Sequence, residues 1–312
     1  MNSQYSFSHT DLALERKDEL EDTFEKGHSF EGIKIQQKNI GESGVKETVI
    51  EIESEAGERQ LGKSQGIYIT LEGENMAEND GGFHEELSHC LARRLGPLLL
   101  EKRKLLFVGL GNGDVTPDAL GPLVIKNLFV TRHLTGWKEI EGCPAVAALA
   151  PGVMAQTGME TGEIVEGIVQ KIRPDALVVI DALAAKSSER LNRTIQISNT
   201  GIAPGSGVGN HRNEITEKTM GIPVIAIGVP TVISIPSIAC DIMESFCSSQ
   251  GEEMEGTFSS WPENEKYQFL EKILDKKLWE LFVTPKEIDE AIKRISYTLS
   301  EGINEFVARR IP

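Results

Sequence analysis

Residues 104–124, KLLFVGLGNGDVTPDALGPLV, join a short apolar segment to a glycine-rich turn and then to an aspartate. The apolar part lacks alternation of polar and apolar residues, which is typical of a strand covered on both faces of a parallel sheet. Segments 145–149, 176–180 and 223–229 have the same character. Helical patterns fall between them, near residues 118–133 and 161–173. This order predicts an α/β sheet with crossover helices.

The N-terminal region has a different pattern. Residues 33–35, 45–53 and 67–71 alternate in polarity as half-buried strands do, and glycines suited to turns separate them. They predict an antiparallel β region beside the parallel one. Residues 1–31 are polar and charged and predict a mobile arm. Residues 83–103 predict a helix that Gly96 and Pro97 could interrupt.

The chain ends in a long predicted helix. Thr284 is placed to cap it, Pro285 to take its first position and Glu287 to complete a capping box. One apolar stripe follows, for which core packing is the expected role: Ile288, Ile292, Ile295, Leu299 and Ile303. The predicted fold is therefore α/β: a central, mainly parallel sheet flanked by helices, with an N-terminal antiparallel β region and a long C-terminal helix.

Composition limits the classes of partner. The 312 residues include 32 basic and 48 acidic side chains, giving a net charge of −16. Non-specific nucleic-acid binding needs clustered Lys and Arg, so no direct nucleic-acid contact is expected. The sequence has neither a secretory pattern at its start nor a long apolar run, so a cytoplasmic protein without a membrane segment is expected. The cysteines, Cys90, Cys143, Cys240 and Cys247, form no CxxC pair and predict reduced, idle thiols.

Two aspartates are placed where α/β sheets carry their sites. Asp118 and Asp181 each follow a buried strand, and ligands bind beyond the carboxyl ends of such strands. Two close carboxylates share a proton, so one can activate water while the other protonates the leaving group. Asp118 could instead cap a helix beginning at Thr116. Asp114 is a rival catalytic residue, although its Gly-Asp context also fits an ordinary turn.

A glycine-rich segment at residues 199–212 is a second candidate feature. Its glycines would let backbone amides approach a ligand closely. The candidate substrate contacts are Asn112, Gly205, Gly207 and His211; a loop histidine without a functional role is the alternative for His211. The glycine patterns match neither a dinucleotide fingerprint nor a phosphate loop, and no GxSxG or HExxH occurs. From the residues alone, the prediction is a hydrolase with paired carboxylates, with or without a metal.

Five successive blocks of the sequence carry a specific resemblance to a known family: GLGNGDVTPDALGPLV, LAPGVMAQTGMET, PDALVVIDALAA, LNRTIQISNTGIAPGSGVGNHR and GIPVIAIGVPTV. In this order they resemble the germination protease family of spore-forming bacteria over roughly residues 105–232. The start, QYSFSHTDLALE, resembles the pro-segment junction of that family. The resemblance implies a sheet similar to that of hydrogenase-maturation proteases.

The resemblance implies an aspartic-type endopeptidase that degrades small acid-soluble spore proteins at germination. The family's catalytic aspartates fall on Asp118 and Asp181. The resemblance also implies a homotetramer in the forespore and a self-processing zymogen cut between Asp11 and Leu12. Residues 1–11 would then be a pro-segment and residues 12–312 a single protease domain. Neither a metal nor another cofactor is expected.

Two alternatives stay open at the level of sequence. The first is a metal-dependent maturation-type protease that uses Asp118, Asp181 and His211. The second is a non-catalytic protein that only binds spore proteins.

Overall fold

The computed structural model describes residues 10–23, 31–41, 44–134, 144–205, 213–249 and 258–310. Within these ranges the strands form one mixed sheet in the order β1-β2-β3-β7-β8-β6-β4-β5, with β9 paired to β8. Strands β5, β4, β6 and β8 pair in parallel, and the remaining pairs are antiparallel. The predicted α/β class is confirmed, and the antiparallel region continues the parallel sheet.

The strands are β1 (Ile33–Ile40), β2 (Val45–Ile52), β3 (Gly66–Glu72), β4 (Lys104–Gly109), β5 (Ala145–Leu149), β6 (Ala176–Ala185), β7 (Thr194–Ser198), β8 (Val224–Ser234) and β9 (Phe282–Val283). The α-helices are α1 (Ala13–Thr23), α2 (Glu55–Leu61), α3 (Gly81–Leu98), α4 (Leu120–Lys126), α5 (Met154–Thr157), α6 (Thr161–Ile172), α7 (Glu217–Met220), α8 (Ile235–Ser249), α9 (Glu263–Ile273), α10 (Lys276–Trp279) and α11 (Ile288–Ala308).

Different layers cover the two faces of the sheet. Helices α3, α4 and α11 cover one face, which we call the core face, through a continuous apolar core that includes Phe107 and Ile180. On the other face, α6 packs over the parallel strands and α1 over β2 and β3. We call residues 10–23 the strap and this second face the strap face. The apolar stripe of α11 is buried in the core, as predicted.

Several boundaries differ from those that the sequence predicts. Strand β6 continues to Ala185 and β8 to Ser234, because beyond the end of β4 the two strands still pair with each other. Strand β7 was not predicted. Helix α3 continues through Gly96 and Pro97 and ends one residue later, at Leu98, so the proline removes one backbone bond without breaking the helix.

The predicted capping box of α11 is wrong. The helix begins only at Ile288, behind Glu287, and no side-chain capping bond forms there. The Thr284 hydroxyl donates instead to the Thr231 carbonyl at 2.7 Å, so it joins the start of this segment to β8.

The prediction of a mobile arm over residues 1–31 is wrong for the strap. Leu12 and Ala13 are fully buried, and Leu14 is 1% exposed. Ala13 and Leu14 pack against Ile50, Ile52 and Tyr68 on β2 and β3. A hydrophobic triplet among charged residues is enough to hold the segment, because burial of each large aliphatic side chain contributes about 1.5–3 kcal/mol.

Two further expectations concern the chain as a whole. In the part of the chain that the structure describes, no helix has the length and apolar character that crossing a bilayer requires. Cys90, Cys240 and Cys247 are free thiols, as expected, and Cys143 lies outside the described residues.

Candidate active site

Asp181 lies where β4 stops pairing with β6. The Leu110 amide donates to the Ile180 carbonyl at 2.8 Å, directly after the last rung between the two strands. Asp181 is therefore inside β6 and beyond the reach of β4, not past the end of its own strand as predicted. It is 5% exposed, and its Oδ1 accepts from the Ala182 amide at 2.9 Å.

Asp118 closes a short 3₁₀ turn over the end of β4. Its Oδ2 accepts from the Asn112 amide at 2.7 Å, and the side chain is half-buried. The turn contacts β6 and β8, and the Thr231 hydroxyl on β8 holds the Pro117 carbonyl at 2.7 Å. Asp118 thus follows β4, and Asp181 lies inside the neighbouring parallel strand β6, one residue beyond its last pairing with β4.

The loop after β4, residues 110–115, makes this position of Asp118 possible, and we call it the glycine loop. Gly111 has a φ of +106°, and a Cβ there would lie 2.0 Å from the Asp118 carbonyl oxygen. The helix-cap alternative for Asp118 is not supported by the cap itself. Helix α4 begins at Leu120 behind Ala119, which makes no side-chain capping bond, and the carboxylate turns back to Asn112.

Asn112 connects the loop to a residue that the sequence did not single out, Gln156 on α5. The Asn112 Oδ1 accepts from Gln156 Nε2 at 2.9 Å and from the Asp114 amide at 3.0 Å. Gln156 also donates to the Asp114 carboxylate at 3.1 Å. The Asn112 side chain is therefore engaged within the loop, and its role as a substrate contact stays a prediction. Asp114 is exposed and bonds to Gln156.

A row of residues crosses the strap face toward Asp181. Register pairs Thr48 with Thr70, Thr70 with Gln196, Gln196 with Gly228, and Gly228 with Asp181. Directly paired residues point to the same face, so this row leads from β2 to the candidate site. Gln196 is two strands from Asp181, about 10 Å between backbones. Sequence reasoning missed Gln196, although the alternation in TIQIS indicates a strand with Thr194, Gln196 and Ser198 on one face.

The strap contacts this row at Gln196, through backbone groups of the strap. Gln196 Oε1 accepts from the Ala13 amide at 2.7 Å, and its Nε2 donates to the Asp11 carbonyl at 3.0 Å. Lys63 Nζ donates to the Thr10 carbonyl at 2.8 Å and to the Asp11 carbonyl at 3.1 Å. These four bonds hold residues 10–13 over β7.

Acidic side chains fix the strap to the edge of β6. Asp11 Oδ2 accepts from the Ala184 amide at 3.2 Å. The buried Glu15 carboxylate accepts from the amides of Lys186 and Ser187 at 3.0 Å and from the Thr10 hydroxyl. Desolvation by burial raises the Glu15 pKa, although these donors oppose the shift. The strap and the candidate aspartate thus share β6.

A cavity of about 200 Å³ opens beside the strap. Asp11, Gln196 and Gly228 line it together with residues 201–203 of the glycine-rich segment. Gly205 ends the described part of that segment with a φ of +74°. Gly207 and His211 lie outside the described residues, so their roles stay predictions. The glycine-rich segment and the strap therefore border one space on the strap face.

Among the described residues, one group could offer three ligands to a metal: Cys240, Glu244 and Glu263 on α8 and α9. The Glu244 carboxylate already pairs with Lys266 at 2.6 Å. Burial raises the pKa of Cys240 to about 12, so the thiol stays protonated and is a poor ligand. This group is remote in sequence from both aspartates, on elements that carry neither of them.

Comparison with known proteins identifies the family of this chain. The family model described as germination protease matches residues 8–257. The germination protease of Clostridium perfringens (strain ATCC 13124) is 43% identical over 309 residues, covering 95% of this chain and 93% of the relative. That of Caldanaerobacter subterraneus is 44% identical over 306 residues, covering 95% and 92%. That of Bacillus velezensis is 38% identical over 346 residues, covering 97% and 94%.

Among solved structures, the chain is similar to the [NiFe] hydrogenase maturation protease HycI from Thermococcus kodakarensis. The identity is 18% and the TM-score 0.36, with 67% of this chain and 98% of the other covered. By class, the chain is an α/β peptidase. It belongs to the germination protease family.

Proposed function

We propose that this chain is an endopeptidase that starts the degradation of small acid-soluble spore proteins during germination, using Asp118 and Asp181 to activate water. The observation that carries the proposal is the arrangement at the point where β4 stops pairing with β6. There the Leu110 amide bonds to Ile180, Asp181 follows at once, and the glycine loop after Leu110 holds the Asp118 carboxylate. Two carboxylates at one edge of a parallel sheet suit general acid-base hydrolysis.

The chemistry needs one carboxylate ionised and one protonated. Two like charges brought together disfavour double ionisation, so the pair retains a proton to a higher pH than an isolated carboxyl would. The ionised member accepts a proton from the attacking water. The protonated member donates to the departing amine. No metal and no covalent intermediate enters this scheme, and the Asn112 amide keeps Asp118 in place.

The proposal includes self-processing. Residues 1–11 are a pro-segment, residues 12–312 form the protease domain, and the bond cut is Asp11–Leu12. The buried strap supports this, because the Asp11 carboxylate bonds to the Ala184 amide of β6, the strand that carries Asp181. The active form acts in the spore core as a homotetramer, on protein substrates and without direct contact to nucleic acid or membrane.

The test is cleavage of a purified small acid-soluble spore protein, with the product termini sequenced. We expect a few discrete cuts by wild type and none by Asp181→Asn. Exhaustive chelation should leave the rate unchanged, and loss of activity that a divalent metal restores would favour a metal-dependent protease instead. Binding without any cleavage would favour the non-catalytic alternative.

A second arm follows the strap itself. Full-length wild type at slightly acidic pH should lose residues 1–11 while it gains activity, and full-length Asp181→Asn should keep them. If both lose the segment equally, a contaminating protease cuts it. If uncut wild type is already fully active, the segment is not a pro-segment.

A further inference from the structure

The carbonyl oxygen of Asp11 accepts two hydrogen bonds from side chains of the protease domain. Lys63 Nζ donates to it at 3.1 Å and Gln196 Nε2 at 3.0 Å. This oxygen belongs to the Asp11–Leu12 peptide bond. Asp11 is thus bound at the atom on which negative charge develops when a peptide bond is hydrolysed.

Both donors are held in position. Gln196 is 8% exposed, and its amide orientation is fixed because the Ala13 amide must face the oxygen, Oε1. Lys63 is fixed by a second bond, to the Thr10 carbonyl. Lys63 is half-buried; desolvation lowers its pKa, and the nearby Asp11 carboxylate opposes that shift.

We propose that Lys63 and Gln196 form the oxyanion-binding site for cleavage of the Asp11–Leu12 bond. This inference rests on the self-processing described above. Water oxygen bonds to the Asp11 carbonyl carbon and gives a proton to the ionised carboxylate. The π electron pair moves to the carbonyl oxygen, where the two donors stabilise it. Collapse breaks the bond to the Leu12 nitrogen, which takes a proton from the catalytic carboxylic acid, so that Asp11 ends in a new carboxylic acid and Leu12 in an amine. The proton of the new acid then passes to the amine, which gives a carboxylate and an ammonium.

The same site serves substrates cut in trans. The hydrogen bonds from Lys63 to Thr10 and Asp11, and from Gln196 to Asp11, run to backbone carbonyls, which every peptide has. Gln196 also bonds on both sides of Leu12, at Asp11 and at Ala13, so it sets the position of the chain relative to the sheet. Release of the strap after cleavage leaves these donors free for an extended segment of another protein.

The experiment measures self-cleavage of the full chain by intact-mass spectrometry over time. Lys63→Met and Gln196→Met keep the side-chain volume and remove the donors, and each should slow the cut by about 10²–10³-fold. Thr194→Val is the matched control on β7. It is buried two residues from Gln196, and its hydroxyl has no partner among the described residues. It should be cut at the wild-type rate.

A separate readout distinguishes oxyanion stabilisation from simple docking of the strap. In the uncut Asp181→Asn background, hydrogen exchange of the α1 amides measures docking. Lys186→Met, which loses an ion pair to Glu19 of α1, is the docking control. Because both donors also help to hold the strap, slowing of the cut that clearly exceeds the loss of α1 protection supports the donor pair. Protection that falls in parallel with the cutting rate, as for Lys186→Met, overturns it.

The failures are distinguishable. Wild type that is cut at Asp11–Leu12, together with donor variants cut equally fast, overturns the oxyanion site alone. Wild type that is never cut at this bond overturns the self-processing on which the site rests.

Discussion

The two faces of the sheet differ in what they bury. On the core face, Phe107, Ile180 and Leu299 belong to one continuous apolar cluster. On the strap face, the polar row of Thr48, Thr70, Gln196, Gly228 and Asp181 runs beside two separate apolar patches, one under α6 and one under α1. The core face stabilises the fold, and the strap face carries groups that can bind a peptide backbone.

The polarity of the strap face has a cost. The hydroxyls of Thr48, Thr70 and Thr194 are buried and have no hydrogen-bond partner among the described residues. Leaving a buried hydroxyl unpaired costs about 1–3 kcal/mol. A sheet selected only for stability would carry valine at such positions. The difference teaches that substitutions on the core face should change stability, and that substitutions of the strap-face groups that bond to the strap should change activity.

The largest expected effect is the loss of cleavage activity when either candidate carboxylate is replaced. Asp118→Asn and Asp181→Asn should each lower the cleavage rate of a spore-protein substrate by about 10³-fold or more. Removing one member of a cooperating pair lowers the rate nearly as much as removing both. The fold should persist, with an unchanged circular dichroism spectrum. Initial rates at saturating substrate measure the effect.

Asp114→Asn is the matched control for these two substitutions. Asp114 is exposed and bonds to Gln156, four residues before Asp118. It should stay measurably active. Near-normal turnover by a folded Asp118→Asn or Asp181→Asn would overturn the two-aspartate proposal.

The next effect concerns the loop that holds Asp118. Gly111→Ala places a methyl group 2.0 Å from the Asp118 carbonyl oxygen at a φ of +106°. Asp118 must move, and a displacement of about 1 Å at a reacting group can cost about 10²-fold in rate. The strained backbone should cost about 1–3 kcal/mol of unfolding free energy. Kinetics and chemical denaturation of one preparation measure both.

Gly221→Ala separates strain from displacement. Gly221 has a φ of +70°, and an added Cβ would meet no atom within 4 Å. It should lose stability and keep full activity. If both alanine variants lose activity equally, the position of Asp118 is not the cause.

On the core face, Leu299→Ala should affect stability alone. Leu299 is fully buried in α11, and replacing such a side chain with alanine costs about 2–5 kcal/mol. The turnover number of the folded fraction should equal that of wild type. Tyr297→Ala, at a residue of the same helix that is 58% exposed, should change stability by less than about 0.5 kcal/mol. A lower turnover number for Leu299→Ala would show that the two faces are coupled.

The parallel half of the sheet was predictable because buried parallel strands are continuous apolar runs, and Asp181 interrupts one of them. Strand β7 was not predicted because its polar residues, such as Gln196, face the strap, which is distant in sequence. The burial of the strap was not predicted for the same reason. Leu12, Ala13 and Leu14 are too few to form a periodic pattern, and their burial depends on the tertiary structure, in which Ala13 and Leu14 pack on β2 and β3.

The smallest effect is a pH dependence of strap docking through Glu15. Burial raises the Glu15 pKa above its ordinary value of 4.5, so the docked strap binds this proton more tightly than the free strap does. Docking carries no cost from Glu15 below pH 4.5, and the cost grows as pH rises through the raised pKa. Hydrogen exchange of α1 in the Asp181→Asn background should therefore slow as pH falls from neutrality toward 4.5, after correction for intrinsic exchange rates. Glu15→Gln removes this titration and keeps Glu19 and Lys63, so any dependence left in that variant belongs to those groups. An equal pH dependence in both proteins would show that Glu15 does not set it.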